Sequence, residues 1–109
     1  MTITTGSDGW AALLQAVTDR NASRLTLLEV DGPDFGAQIE EVNLPLRGIA
    51  YDRRSGRVEI MLGQLAGPDG HVTHAVPGVV AVDVLISADG RDQAVRIANR
   101  DSQSLLRFV

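Results

Sequence analysis

The stretch "VVAVDVLISADGRDQAVRIA", residues 79–98, constrains the fold of this chain more than any other. Two β-rich runs flank Asp89-Gly90, a pair suited to a two-residue turn that needs positive φ. With Asp89 and Gly90 as the loop, Ala88 faces Arg91 and every other facing pair follows. Val84 meets Val95 and Val82 meets Ile97 on one face, which places Asp83 opposite Arg96 on the other. An acid inside an apolar run then has its own counter-ion. A one-residue slip would strand it, so the pair selects the register.

The rest of the chain extends this antiparallel pattern. "RLTLLEV" (24–30) and "AQIEEVNL" (37–44) read as strands around the turn "DGPDFG". Pro45 is expected to stop the second, because it lacks an amide donor. "LRGIAYD" (46–52) and "RVEIML" (57–62) form a hairpin through "RRSG", with Gly56 supplying a left-handed residue. Before the strands, Trp10, Leu13, Leu14 and Val17 recur at helical spacing, which predicts a helix over 7–22. Ser7 is the expected N-cap, Asp8 lies in the first turn, and Asn21 is the expected C-cap. Short connections require antiparallel neighbours. The expected fold is therefore α+β. One N-terminal helix packs on a twisted antiparallel sheet of about six strands, able to curl toward a partly closed barrel.

At 109 residues, 44% hydrophobic and 22% charged, the chain suits a single globular domain over 1–109. Within it, 1–6 is expected to be a flexible N-terminus, 24–98 the strands and 99–109 a tail. Leu105, Leu106, Phe108 and Val109 make that tail apolar at its end. It either adds a strand or docks on a second subunit.

Composition removes several chemistries. Cysteine is absent, so disulfides, thiol nucleophiles and thiolate metal sites are excluded. All ten basic residues are arginine, which excludes a lysine Schiff base and a Walker lysine. A net charge of −4 argues against nucleic acid as a partner. No apolar run is long enough to span a bilayer, no secretory signal is visible in "MTITTGSDGW", and the expected compartment is the cytoplasm.

Candidate sites are few. His71 and His74, with Asp69 upstream, resemble a metal set. On a strand, however, residues three apart face opposite ways, and the glycines and prolines around them oppose a helix. No metal site and no cofactor is expected. Ser7, Ser23, Ser55, Ser87, Ser102 and Ser104 fall at a cap, in turns, at a strand end or in the tail, none in a nucleophile elbow. Glu40 and Glu41 are adjacent and so face apart. No catalytic residue is assigned. Alternation of Arg47, Ile49 and Tyr51 suggests a ligand site in which Arg47, Tyr51 and His71 converge on an anion.

Residues 35–62, "FGAQIEEVNLPLRGIAYDRRSGRVEIML", resemble the centre of a family of small bacterial proteins catalogued as a domain of unknown function. The resemblance rests on Gly36, Ala37, Gln38, Leu44, Pro45, Leu46, Gly48, Ile49, Tyr51, Asp52, Glu59 and Ile60. Trp10 near the start of a short helix and the Asp89-Gly90 hairpin extend it to residues 10–98. The resemblance implies the fold and brings no activity or catalytic residues. The expected function is a non-enzymatic binding or interaction module, a homodimer through a sheet edge or the 103–109 tail. The alternatives are an anion-binding protein or enzyme and, behind it, a metal-binding protein through the 69–74 loop.

Overall fold

A computed structural model describes residues 1–33, 36–63 and 70–109. The strands are β1 (Thr2–Thr4), β2 (Leu25–Gly32), β3 (Gly36–Asp52), β4 (Arg57–Gly63), β5 (His71–Val76), β6 (Ala81–Ile86), β7 (Asp92–Ala98) and β8 (Gln103–Phe108). One helix, α1 (Trp10–Asn21), follows β1 and a single 3-10 turn, Ser7–Gly9. The strands form one antiparallel sheet in the order β1-β6-β7-β8-β2-β3-β4-β5. β1 and β5 end the ladder, so the sheet is open.

Among the described residues eight strands replace the expected six: both chain ends join the sheet, the histidine segment, read as a loop, is β5, and the runs 37–44 and 46–52 are the single strand β3. Residues 2–4, expected to be free, pair with β6. Their anchor is Thr4 Oγ1, which donates to Asp83 Oδ1 at 2.6 Å. The tail becomes β8, paired to β7 on one edge and β2 on the other. Ser104, Leu106 and Phe108 are thereby buried within the same chain.

β3 also departs from expectation. It runs unbroken through Pro45, because the strand changes partner there: Gly36–Pro45 pairs with β2 and Leu46–Asp52 with β4. Three irregularities bend it for this double service. Glu40, Asn43 (φ +58°) and Arg47 each stand as an extra residue against the partner strand. Bulges of this kind raise the local twist and re-aim side chains.

α1 lies against the β4-paired half of β3. Trp10, Leu14 and Val17 form its buried stripe and join Leu28, Ile49, Ile60, Leu62, Val84, Val95 and Leu106 in one core. Thr18 Oγ1 donates to Leu14 O at 2.9 Å and accepts the Ile49 amide at 2.9 Å, so the helix satisfies a strand group that no neighbouring strand takes. Gly48 lies at this contact, where a Cβ would stand 3.7 Å from Thr18 Cγ2, an ordinary contact, and 3.3 Å from the flexible end of Met61.

The helix ends differ from the sequence reading. No side chain caps the N-terminus; Ser7 sits in the 3-10 turn, and Gly9 precedes the first helical residue. At the other end the left-handed residue is Ser23 (φ +69°), two beyond Asn21. Asn21 is still helical and is buried, its amide turned inward.

Candidate functional site

The 79–98 hairpin has the expected core register: Val82↔Ile97, Asp83↔Arg96 and Val84↔Val95. Its tip does not. The Ser87 amide donates to Arg91 O, and Ala88, Asp89 and Gly90 (φ +85°) make a three-residue loop. An extra residue at Gln93 then restores the register, since Ile86 pairs with Asp92 and Leu85 with Ala94. Arg96 Nε donates to Asp83 Oδ2 at 2.8 Å. Burial disfavours the charged Asp83, but hydrogen bonds from Thr4 and Arg96 outweigh it and hold the carboxyl below its usual range.

The Gln93 bulge has a second effect. It leaves Asp92 buried beneath the end of α1, where Arg20 grips it with Nε at 2.8 Å and Nη2 at 3.0 Å. Asn21 Nδ2 adds a third donor at 2.6 Å. Burial again opposes ionisation; the bonds from Arg20 and Asn21, with the charges of Arg20 and Arg24, overcome it and lower the Asp92 pKa. Arg24 Nη1 donates to Asn21 Oδ1 at 3.0 Å and to Asp92 O at 2.8 Å, while its guanidinium lies 5.0 Å from the centre of the Phe108 ring. These residues, with Gly90 and Arg91, line a cleft of about 340 Å³.

Of the three residues expected to share an anion pocket, two meet. Arg47 Nη1 meets the His71 ring, one of whose nitrogens accepts from it, beside a cleft of about 250 Å³ that includes Met61 and Thr73. Tyr51 is elsewhere, edge-on to Trp10 with ring centroids 5.1 Å apart. The cause is the bulge at Arg47, which breaks the alternation that would have put Arg47 and Tyr51 on one face.

The histidines both lie on β5 and point to opposite faces. His71 stands opposite Gly63 and meets Arg47. His74 stands opposite Ile60 and reaches across the interior to Ser104, Nε2 to Oγ 3.1 Å. Burial lowers the His74 pKa against an upward pull from the charge of Glu40. Although it pairs a hydroxyl with an imidazole, this contact gives no usable nucleophile, because Ser104 is only 1% exposed. Asp69 lies outside the described residues. Among the described residues no three His, Asp or Glu side chains converge as metal ligands, and no helix is long and apolar enough to cross a membrane.

Sequence reasoning also passed over the outward face of β2 and β3. Leu25, Leu27, Glu29 and Asp31 alternate with the buried Thr26, Leu28, Val30 and Gly32. Across the ladder, Val42 faces Leu27 and Ile39 faces Glu29. Leu25, Ile39 and Val42 are 46%, 59% and 52% exposed. Half-buried Leu105 of β8 lies beside Glu29, and Arg107 Nη2 stands 3.7 Å from the Glu29 carboxylate.

Fold and sites together define an α+β protein whose described residues form an open eight-stranded antiparallel sheet, with a half-buried ion pair in a cleft at its helix end and exposed apolar residues on its outward face. Residues 3–108 match the pattern of a family described as a family of unknown function, DUF5335, and the chain belongs to that family. No curated protein and no solved structure matches the chain.

Proposed function

We propose that this protein is a non-enzymatic interaction module of the cytoplasm that pairs with a second copy of itself through the outward face of β8, β2 and β3. The observation that carries the reading is that exposed Leu25, Ile39 and Val42 lie on that one face, with Val42 opposite Leu27 and Ile39 opposite Glu29. Exposed apolar side chains gathered on one sheet face and flanked by charged groups favour association. A two-fold contact uses the same patch on both copies. With Glu29 and Arg107 at its middle, the patch carries both signs of charge and is self-complementary. A stable pair buries about 800 Å² per partner, so Leu27, Leu105 and the ion pair belong to the contact with the three exposed residues.

The tail reaches this interface through Leu105 and Arg107, while Leu106 and Phe108 are spent on the core. Support for a non-enzymatic role comes from the reactive groups, which are engaged: His71 by Arg47, His74 by Ser104, Asp83 by Arg96 and Asp92 by Arg20. Light scattering over a concentration series tests the proposal. The expected mass rises toward twice 11.6 kDa, and Val42→Asp holds it at one copy with little change in melting temperature. A wild-type mass of one copy throughout would end the proposal.

A further inference from the structure

We infer that the cleft at the C-terminal end of α1 binds a small phosphate-bearing ligand. Its lining holds three guanidinium groups, from Arg20, Arg24 and Arg91, against one carboxylate, Asp92. That is a local charge of about +2 in a chain whose net charge is −4. Asp89, on the same hairpin, accepts the Arg91 amide at 3.1 Å and Ser87 Oγ, and its charge also faces Arg91, so with it counted the local charge is about +1. The excess is therefore cationic.

The arginines are held in place. Arg20 is fixed at Nε and Nη2 by a buried carboxylate, which leaves Nη1 free of any hydrogen bond among the described residues. Arg24 is fixed at Nη1 by Asn21 Oδ1 and Asp92 O and is supported by the Phe108 ring, while its Nε and Nη2 have no partner there. Arg91 is exposed, and its backbone is pinned on both sides of the hairpin tip by the Asp89 and Ser87 contacts. A buried ion pair by itself needs one arginine for one aspartate. Here Asp92 acts as a brace, and the three arginines still outnumber the acids Asp89 and Asp92. Arginine forks match the oxygens of a phosphate, and donors already fixed lose little entropy on binding. The cleft, about 340 Å³, is of the size small ligands occupy.

The test is a titration of the full chain with inorganic phosphate at constant ionic strength, read by amide chemical shifts. Sodium acetate and sodium chloride serve as parallel arms. Saturable shifts centred on Gly90, Arg91 and Asp92 are expected with phosphate, at about millimolar affinity. Arg91→Gln, an exposed substitution away from the core, should weaken binding about tenfold, as loss of one charge-assisted bond does. Arg24→Gln should do the same, and Arg47→Gln should leave binding unchanged. Val42→Asp should bind phosphate like the wild type, which separates this inference from the pairing proposal. Equal shifts in the chloride arm, wild-type affinity in Arg91→Gln, or acetate binding tighter than phosphate would each overturn it.

Discussion

The ion pair under α1 can be taken apart one partner at a time. Asp92 has a side chain 4% exposed and receives three donors, whereas that of Arg20 is 50% exposed. Asp92→Ala lets Arg20 return to water at small cost, but buried Asn21 loses one of its two acceptors and keeps only Val17 O. Hydrogen bonds to charged groups contribute about 1.5–3 kcal/mol, so a loss of about 2 kcal/mol is expected. Arg20→Ala leaves the buried partner unpaired. The usual range for such a break, about 3–5 kcal/mol, shrinks here because water reaches the cleft, and about 2–3 kcal/mol remains. In the double variant no charge is stranded, so its cost should fall short of the sum by at least about 1 kcal/mol.

Unfolding entropy near 2.1 cal/mol/K per residue gives about 4 °C per kcal/mol for a chain of this length. Asp92→Ala should thus melt about 9 °C below wild type in a calorimetric scan at pH 7. The gap also has a pH signature. Because the folded pKa of Asp92 is lowered, its contribution is complete above the ordinary carboxylate value near 4 and disappears as pH falls below it. Additive single and double effects within about 0.5 kcal/mol, or an Asp92→Ala shift that persists unchanged at pH 3, would refute the reasoning.

Two further outcomes follow from buried groups. His74 is lowered from its ordinary value, near 6.5, so folding favours its neutral form. Stability should fall as pH drops through 6.5 toward 5, before most carboxylates titrate, and His74→Gln should flatten that part of the melting-temperature profile; a flat wild-type profile would contradict this. Thr18→Val keeps the shape but leaves the Ile49 amide without its acceptor, at a cost of about 1–2 kcal/mol. Denaturant titration should register the loss and Thr18→Ser should recover most of it, whereas equal values for Val and Ser would assign the effect to packing.

How much of this was legible in the chain depends on whether the controlling contact was local. The final hairpin was readable because Asp83 and Arg96 label its register from within. Its tip was misread, yet the three-residue loop and the extra residue at Gln93 cancel, and the core pairs come out the same. The helix stripe was legible for the same reason, since Trp10, Leu14 and Val17 need only one another's spacing. β3 was not. Its bulges at Glu40, Asn43 and Arg47 answer to two different partner strands, and no period-two reading can anticipate them. They are also why Tyr51 and Arg47 part company. Asp92 carried no signal of its own in the sequence; its burial depends on the end of α1, 71 residues earlier at Asn21. The outward stripe was hidden because the bulge at Glu40 puts Ile39 and Val42, three residues apart, on one face.

The proposed pairing of two copies through β8, β2 and β3 is tested most directly in a mixed sample, half isotope-labelled and half unlabelled, by intermolecular contacts at methyl groups. Contacts between Leu25, Ile39 and Val42 of one copy and the same strands of the other are expected, together with their disappearance in Val42→Asp. Intermolecular contacts confined to the β1 or β5 edges, or none at a concentration of about a millimolar, would contradict the account.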